Sequence, residues 1–408
     1  MQIQLKQSKI NSFSELKITG SKSESNRVLL LQALFEGLEI KNVSNSDDSQ
    51  LMQKALKTDA SVVDIHHAGT AMRFLTAYYA TRLGKTTTLT GSSRMQERPI
   101  KILVDALNAL GASISYTKND GYPPLLIEGK TLTKSSVQMK ANISSQYISA
   151  LLLIAPTLEN GLTLHLEGEI TSTPYIKMTL SLLNELGVQT SFESNAIRVL
   201  PFHQLTSKTF VVESDWSSAS YFYSIVALSP VGTQIAISEY KSTSLQGDAV
   251  LQKIYKDLGV ESTFDGTTLI LKKIEASLPN CLSIDLSNAP DIAQTIVVTC
   301  LGLKIDCDLT GLHTLKIKET DRLAALQNEI KKLGTTIEIT PKSLHLTNHL
   351  GLNSGVVINT YNDHRMAMAF APLALKTQLF IDDAEVVSKS YPDFWNDLQT
   401  LGFNLEKK

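Results

Sequence analysis

Cysteine is scarce in this chain: three residues in 408, at positions 281, 300 and 307. An odd count with no C-x-x-C or histidine-flanked spacing excludes a disulfide framework and a thiolate metal site, and leaves reduced thiols acting as small apolar fillers. An excess of charge of one sign is missing too. Lys+Arg total 38 against Asp+Glu 40, a net charge of -2, so no overall basic field draws the chain to nucleic acid or to acidic membranes. Long apolar runs are also lacking. The most apolar stretch, Tyr147 to Leu158, is too short to span a bilayer, and Met1 to Gln7 contains no signal-peptide core. A cytoplasmic protein is expected. Linkers rich in Gly, Pro and Ser are absent as well, so composition alone places no domain boundary, although a chain of this length implies two or more domains, each with its own core.

What is present is a repeat. Amphipathic segments end in Leu-Gly at Leu110-Gly111, Leu186-Gly187, Leu258-Gly259, Leu333-Gly334 and Leu401-Gly402. Glycine just past a helix end takes the left-handed cap conformation cheaply, so the pairs mark similar units recurring at intervals of roughly seventy residues. After most of them a β-branched or alternating stretch follows, such as Ala112 to Tyr116 or Thr335 to Thr340, which suits a strand. Each unit therefore mixes strand and helix, and several share a core. Gly37 has no preceding leucine and is not counted.

Polar helix starts form the second pattern. Gly20-Ser21-Lys22-Ser23-Glu24-Ser25-Asn26-Arg27 sets two cations, hydroxyls and an amide ahead of the apolar run Val28 to Leu31, with Ser21 and Glu24 spaced as a capping box. Alone it reads first as a solvated, Ser-rich helix cap, and only recurrence of the pattern favours an anion site at a helix N-terminus. It recurs at Ser144-Ser145-Gln146, Asp215 to Ser220 and Asp363-His364-Arg365. Ala68-Gly69-Thr70-Ala71-Met72-Arg73 offers close backbone approach, and Pro290-Asp291 puts a carboxylate at a helix start. Lys318-Glu319-Thr320-Asp321-Arg322 places two cations i,i+4 on one helical face, and Arg94 to Pro99 puts two arginines before a helix that Pro99 could open. Several such starts together suit a multiply charged anion.

Gly20 to Arg27, Ala68 to Arg73, Arg94-Met95-Gln96-Glu97-Arg98-Pro99-Ile100, Ser144-Ser145-Gln146, Lys318 to Arg322 and Asn362-Asp363-His364-Arg365-Met366-Ala367-Met368, six segments in order, resemble the 5-enolpyruvylshikimate-3-phosphate synthase family nearly end to end. The resemblance implies an α/β (α+β) fold, a two-lobed inside-out α/β barrel built from six βαβαββ-type repeats. Lobe one would comprise 1–19 and 214–408 and carry Asp291, Glu319, Arg322, Arg365 and Lys389. Lobe two would comprise 20–213, on the shikimate 3-phosphate side, with the active site in the cleft between them. The family moves the enolpyruvyl group of phosphoenolpyruvate to the 5-hydroxyl of shikimate 3-phosphate through a tetrahedral adduct, with no cofactor and no metal. By resemblance, Lys22, Ser23, Arg27, Ser144, Ser145, Gln146, Ser172, Tyr175, Asp291 and Lys318 bind shikimate 3-phosphate. Lys22, Gly69, Arg98, Gln146, Arg322, Arg365 and Lys389 bind phosphoenolpyruvate. Asp291 is the candidate base toward the hydroxyl, Glu319 the candidate acid at the methylene carbon, and Lys22 and His364 assist. A monomer is expected, with glyphosate as an inhibitor.

Departures from the family pattern are His67 and Phe74, where the family usually has asparagine and proline, and Thr314, where some members have an asparagine toward the substrate. The segment between Asp48 and Ala68 is short, so one repeat is expected to have lost the end of a helix and a neighbouring strand. Two other readings stay open: the sister enzyme acting on UDP-N-acetylglucosamine, which normally carries a reactive loop cysteine that none of the three here matches, and a non-catalytic anion-binding relative.

Overall fold

The computed structural model describes residues 1–140, 144–168, 170, 173–347 and 351–408. The chain divides into two compact units, Gly20–Glu213 and Met1–Thr19 with Ser214–Lys408. Among the described residues, no helix is long and apolar enough to cross a membrane.

In Gly20–Glu213 the helices are α1 (Lys22–Leu34), α2 (Asp47–Lys57), α3 (Gly69–Ala80), α4 (Lys101–Leu110), α5 (Ser145–Ile154) and α6 (Thr173–Glu185). They are of two kinds. Helix α3 is buried along its whole length and α5 at all but Gln146, because segments that are apolar on every side can only sit inside. Helices α1, α3 and α5 pack on one another. By contrast α4 buries Leu103, Val104, Leu107 and Leu110 and turns Lys101, Asp105 and Asn108 to water, one apolar stripe of helical period.

Strands form the outer layer. Val62–Asp64, Thr86–Thr90, Leu125–Glu128 and Ser113–Tyr116 make one sheet, whose first pair is parallel and whose others are antiparallel. Ser136–Lys140, Leu162–Glu167, Ala196–Val199 and Thr190–Glu193 repeat that pattern. In Leu162–Glu167 the leucines at 162, 164 and 166 are buried while His165 and Glu167 are exposed, the alternation of a sheet covering a core on one face.

Met1–Thr19 with Ser214–Lys408 is built the same way. Its helices are α7 (Trp216–Leu228), α8 (Leu251–Lys256), α9 (Ala293–Leu303), α10 (Arg322–Lys332), α11 (His364–Phe370) and α12 (Phe394–Leu401). Helix α11 is wholly buried, and α7 and α9 nearly so. Three four-stranded sheets surround them, each with one parallel pair followed by antiparallel partners.

All five Leu-Gly glycines have positive φ, from 77° to 110°, and each ends the amphipathic helix of a repeat. At Gly111 the cap is closed by Ala112 N donating to Leu107 O at 3.0 Å. The sixth repeat is the exception, and it corrects one expectation. Its sheet is only the parallel pair Leu38–Lys41 with Lys208–Val211. Its helix α2 is a full 11 residues, capped by Ser46 and ending on extended Thr58. What the short segment removes is the antiparallel strand pair after the helix, and the helix end is intact. With no hairpin to turn into, the chain needs no left-handed glycine there.

Candidate active site

In the unit formed by Met1–Thr19 with Ser214–Lys408, three helix starts meet. Asp215 caps α7, accepting from Ser218 N at 2.8 Å, and Asp363 caps α11, accepting from Arg365 N at 2.9 Å. Asp291 lies in the 3-10 turn Pro290–Ile292 that leads into α9. The Arg365 guanidinium joins all three, donating to Asp291 O at 2.9 Å and Ser217 Oγ at 3.2 Å, with Asp291 Oδ2 at 3.5 Å.

Arg322 is the centre of the charge network. It is 1% exposed and donates from Nε to Asp363 Oδ2 at 2.7 Å and from its two terminal nitrogens to Asp291 Oδ1 and Glu319 Oε2, each at 2.8 Å. Burial disfavours its charge, yet Asp363, Glu319 and Asp291 outweigh that and raise its pKa. Lys318 Nζ reaches Asp291 Oδ1 at 3.3 Å. Lys318 and Arg322 thus converge on one carboxylate, but not along a helical face. Asp321 caps α10 by accepting from Ala324 N at 3.2 Å, so the helix starts at Arg322 and Lys318 to Thr320 precede it. His364 is buried at the first position of α11, its Nδ1 3.8 Å from Asp363 Oδ1. Lys389 Nζ donates to Asn362 O at 2.7 Å.

Sequence reasoning passed over Asp248. It is buried and accepts a hydrogen bond from Ser217 Oγ, and burial pushes its pKa up to about 6. Nothing in the Gln246-Gly247-Asp248 sequence marks it, since only the fold brings it beside Ser217.

In Gly20–Glu213 the cations are held differently. Lys22 opens α1, and Ser21 accepts from Glu24 N at 3.5 Å, while the Glu24 carboxylate accepts from Glu213 N at 3.1 Å. Gly20 and Ser21 lie against the returning segment: Ser21 N donates to Glu213 O at 2.7 Å, and a Cβ on Gly20 would stand 2.7 Å from the Val212 side chain and 1.9 Å from Asn42 O. Arg27, 2% exposed, donates to Thr179 Oγ1 at 2.8 Å, Ser23 O at 2.6 Å, Ser149 Oγ at 3.0 Å and Tyr175 O at 3.5 Å. Its guanidinium carbon lies 5.4 Å from the ring centre of Phe74 and 5.9 Å from that of Tyr175. Burial lowers its pKa to about 10.

Gly69 opens α3, and a Cβ there would stand 2.5 Å from an Arg98 guanidinium nitrogen, so the glycine lets Arg98 lie over the helix start. Arg73 is not part of that start. It turns inward, donating to Gly69 O at 3.0 Å and Pro99 O at 3.4 Å. Pro99 does not open α4, whose cap is Ile100, and Arg94 pairs with Glu97 at 2.9 Å. Ser144 caps α5 by accepting from Gln146 N at 3.4 Å, Ser145 is buried behind it, and Gln146 Nε2 donates to Thr70 Oγ1 at 3.3 Å, tying the starts of α5 and α3. Ser172 lies outside the described residues. His67 lies 3.8 Å from Asp47 Oδ2 and 2.9 Å from His66, ring nitrogen to ring nitrogen.

The thiols are poor nucleophiles. Cys300 and Cys307 are buried, and exposed Cys281 sits at the start of a strand, where burial and Asp308 raise its pKa to about 11. Among the described residues no cluster of His, Cys, Asp and Glu could hold a metal ion.

Residues 57–398 match the family described as EPSP synthase (3-phosphoshikimate 1-carboxyvinyltransferase). The 3-phosphoshikimate 1-carboxyvinyltransferase of Bacteroides fragilis (strain YCH46) is 47% identical over 398 residues, 96% of each chain. That of Shewanella pealeana (strain ATCC 700345 / ANG-SQ1) is 35% identical, over 95% of this chain and 96% of its own. The solved EPSP synthase of Acinetobacter baumannii superposes with a TM-score of 0.81 over 99% of both chains at 20% identity, a likeness of fold. A match across most of the sequence, close relatives that share nearly its full length, and a common fold together place this chain in the EPSP synthase family.

Proposed function

We propose that this chain transfers the enolpyruvyl group of phosphoenolpyruvate to the 5-hydroxyl of shikimate 3-phosphate and releases phosphate, a step of the shikimate pathway to chorismate and the aromatic amino acids. The observation that carries the reading is the pair of carboxylates on one buried cation: Asp291 and Glu319 both accept from Arg322 at 2.8 Å, with Lys318 and Arg365 facing Asp291. Two acid–base groups fixed beside a set of cations are what this reaction needs.

In this reading Asp291 takes the proton from the 5-hydroxyl as its oxygen bonds to C2 of phosphoenolpyruvate, while Glu319 delivers a proton to C3, giving the tetrahedral adduct. Glu319 then takes a proton back from C3 as the C–O bond to phosphate breaks and the double bond is restored, while the proton held by Asp291 passes to the departing phosphate, so both carboxylates return to their starting protonation. His364 donates a hydrogen bond during this step. Arg322, Arg365, Lys389, Lys22, Arg98, Gln146 and the start of α3 at Gly69 hold phosphoenolpyruvate. Lys22, Ser23, Arg27, Ser144, Ser145, Gln146, Ser172, Tyr175, Asp291 and Lys318 hold shikimate 3-phosphate. Glyphosate, an anion with phosphonate and carboxylate groups, competes for the phosphoenolpyruvate set.

Phosphate release from phosphoenolpyruvate is the test, with shikimate 3-phosphate or UDP-N-acetylglucosamine as acceptor. Release with the first alone is expected. Release only with the second would assign the sister activity, and release with neither would make the chain a non-catalytic relative. The raised pKa of Cys281 and the burial of Cys300 and Cys307 already speak against a chemistry that needs a reactive thiol.

A further inference from the structure

Helix α10 does more than present Arg322 at its first turn. Two turns further on, Glu329 is 0% exposed and accepts three hydrogen bonds: from Lys332 Nζ at 2.6 Å, Asn359 N at 3.0 Å and Tyr361 Oη at 2.6 Å. Two of these donors lie in the segment that leads into α11. There Asp363 N donates to Thr360 O at 2.9 Å, closing a four-residue turn whose central residues, Tyr361 and Asn362, have φ of 54° and 58°. Two consecutive positive φ angles are the requirement of a type I′ turn, which favours Asn and Gly and disfavours a bulky residue such as tyrosine. Tyr361 keeps this backbone only because something over-determines it, and its hydroxyl is pinned by Glu329.

The turn serves each cation that this unit offers to phosphoenolpyruvate. Asn362 O accepts from Lys389 Nζ at 2.7 Å. The Asp363 side chain accepts from Arg322 Nε at 2.7 Å and from Arg365 N at 2.9 Å. Helix α10 therefore grips the turn at two points, through Arg322 on Asp363 and through Glu329 on Asn359 and Tyr361, with the strained pair between them.

We infer that Glu329 and Tyr361 are positioning residues, which hold the 359–363 turn so that Lys389, Arg322 and Arg365 stay aimed at phosphoenolpyruvate. The inference rests on the assignment of those three cations above. Neither residue touches substrate in this account; both act through the turn, and misplacing a binding group by about 1 Å can cost up to about a hundredfold in rate.

The test is Tyr361→Phe, with Glu329→Gln as the paired variant that keeps side-chain shape, each made in the full chain. In either folded variant KM for phosphoenolpyruvate should rise about tenfold while KM for shikimate 3-phosphate stays within about twofold. A second readout does not depend on turnover: acetylation of Lys389 by acetic anhydride, mapped by peptide mass spectrometry, should quicken about threefold or more as its acceptor at Asn362 loosens. Unchanged acetylation, or a lowered thermal midpoint with both KM values moving equally, would overturn the inference and leave Glu329 an ordinary structural group. Quickened acetylation in a protein whose wild type releases no phosphate would sustain the turn's hold on Lys389 and sink the functional reading instead.

Discussion

Arg322 and Arg27 are both almost wholly buried, at 1% and 2% exposure, yet their surroundings push their pKa values in opposite directions. Arg322 is wrapped by Asp363, Glu319 and Asp291, which outweigh burial and raise it. Arg27 is held by two hydroxyls and two carbonyls with aromatic rings nearby, and burial lowers it to about 10. The difference separates two tasks. Around Arg322 the charge is already offset by three carboxylates, so besides its proposed part in holding phosphoenolpyruvate this cation also fixes the two carboxylates proposed to move protons. Around Arg27 the charge is solvated by neutral groups, which leaves it able to gain from an arriving anion.

Removing each arginine sharpens that contrast. Arg322→Gln strands three carboxylates together and should lower stability by about 3–5 kcal/mol, measured by denaturant unfolding. Arg27→Gln removes hydrogen bonds to neutral partners and should cost less, about 1–2 kcal/mol, while weakening shikimate 3-phosphate binding about tenfold or more by calorimetry. Equal stability losses in the two variants would break the comparison.

A further contrast is Asp248, whose buried charge is offset neither by three partners of opposite sign nor by full hydrogen bonding. Its folded pKa of about 6 lies above its ordinary 3.8, so between those values the native protein keeps a proton that the unfolded chain has lost, and stability falls as pH rises through that window. Asp248→Asn should flatten this part of the pH–stability curve and stabilise the protein at neutral pH by about 1–3 kcal/mol. An unchanged curve would show that burial imposes no such cost on the carboxylate.

Much of this was legible in the sequence where the signal is local. The Leu-Gly pairs report helix ends because only the left-handed cap demands glycine there, and Ser144, Asp215 and Asp363 announce caps by residue type. Signals that depend on distant pairing were not legible. Lys318 and Arg322 have helical spacing, yet the cap at Asp321 cuts the helix between them and Asp291 draws them together instead. Arg73 stands one helical turn after Gly69 beside the other cations in sequence, yet it is a backbone clamp. Glu329 and Lys332 read as an ordinary helical ion pair, and nothing local reveals that the carboxylate also holds a turn some thirty residues away. The short stretch after Asp48 disclosed a lost element but not which one, because length alone does not distinguish a trimmed helix from a missing hairpin.

The central claim is that Asp291 and Glu319 move the protons, and that the remaining shikimate 3-phosphate groups suffice to hold the acceptor when Asp291 loses its charge. Its most direct test pairs phosphate release with calorimetric binding of shikimate 3-phosphate in Asp291→Asn and Glu319→Gln. The account predicts turnover reduced by about a hundredfold or more in each, with shikimate 3-phosphate still bound. Near-normal turnover in either variant would contradict it for that residue.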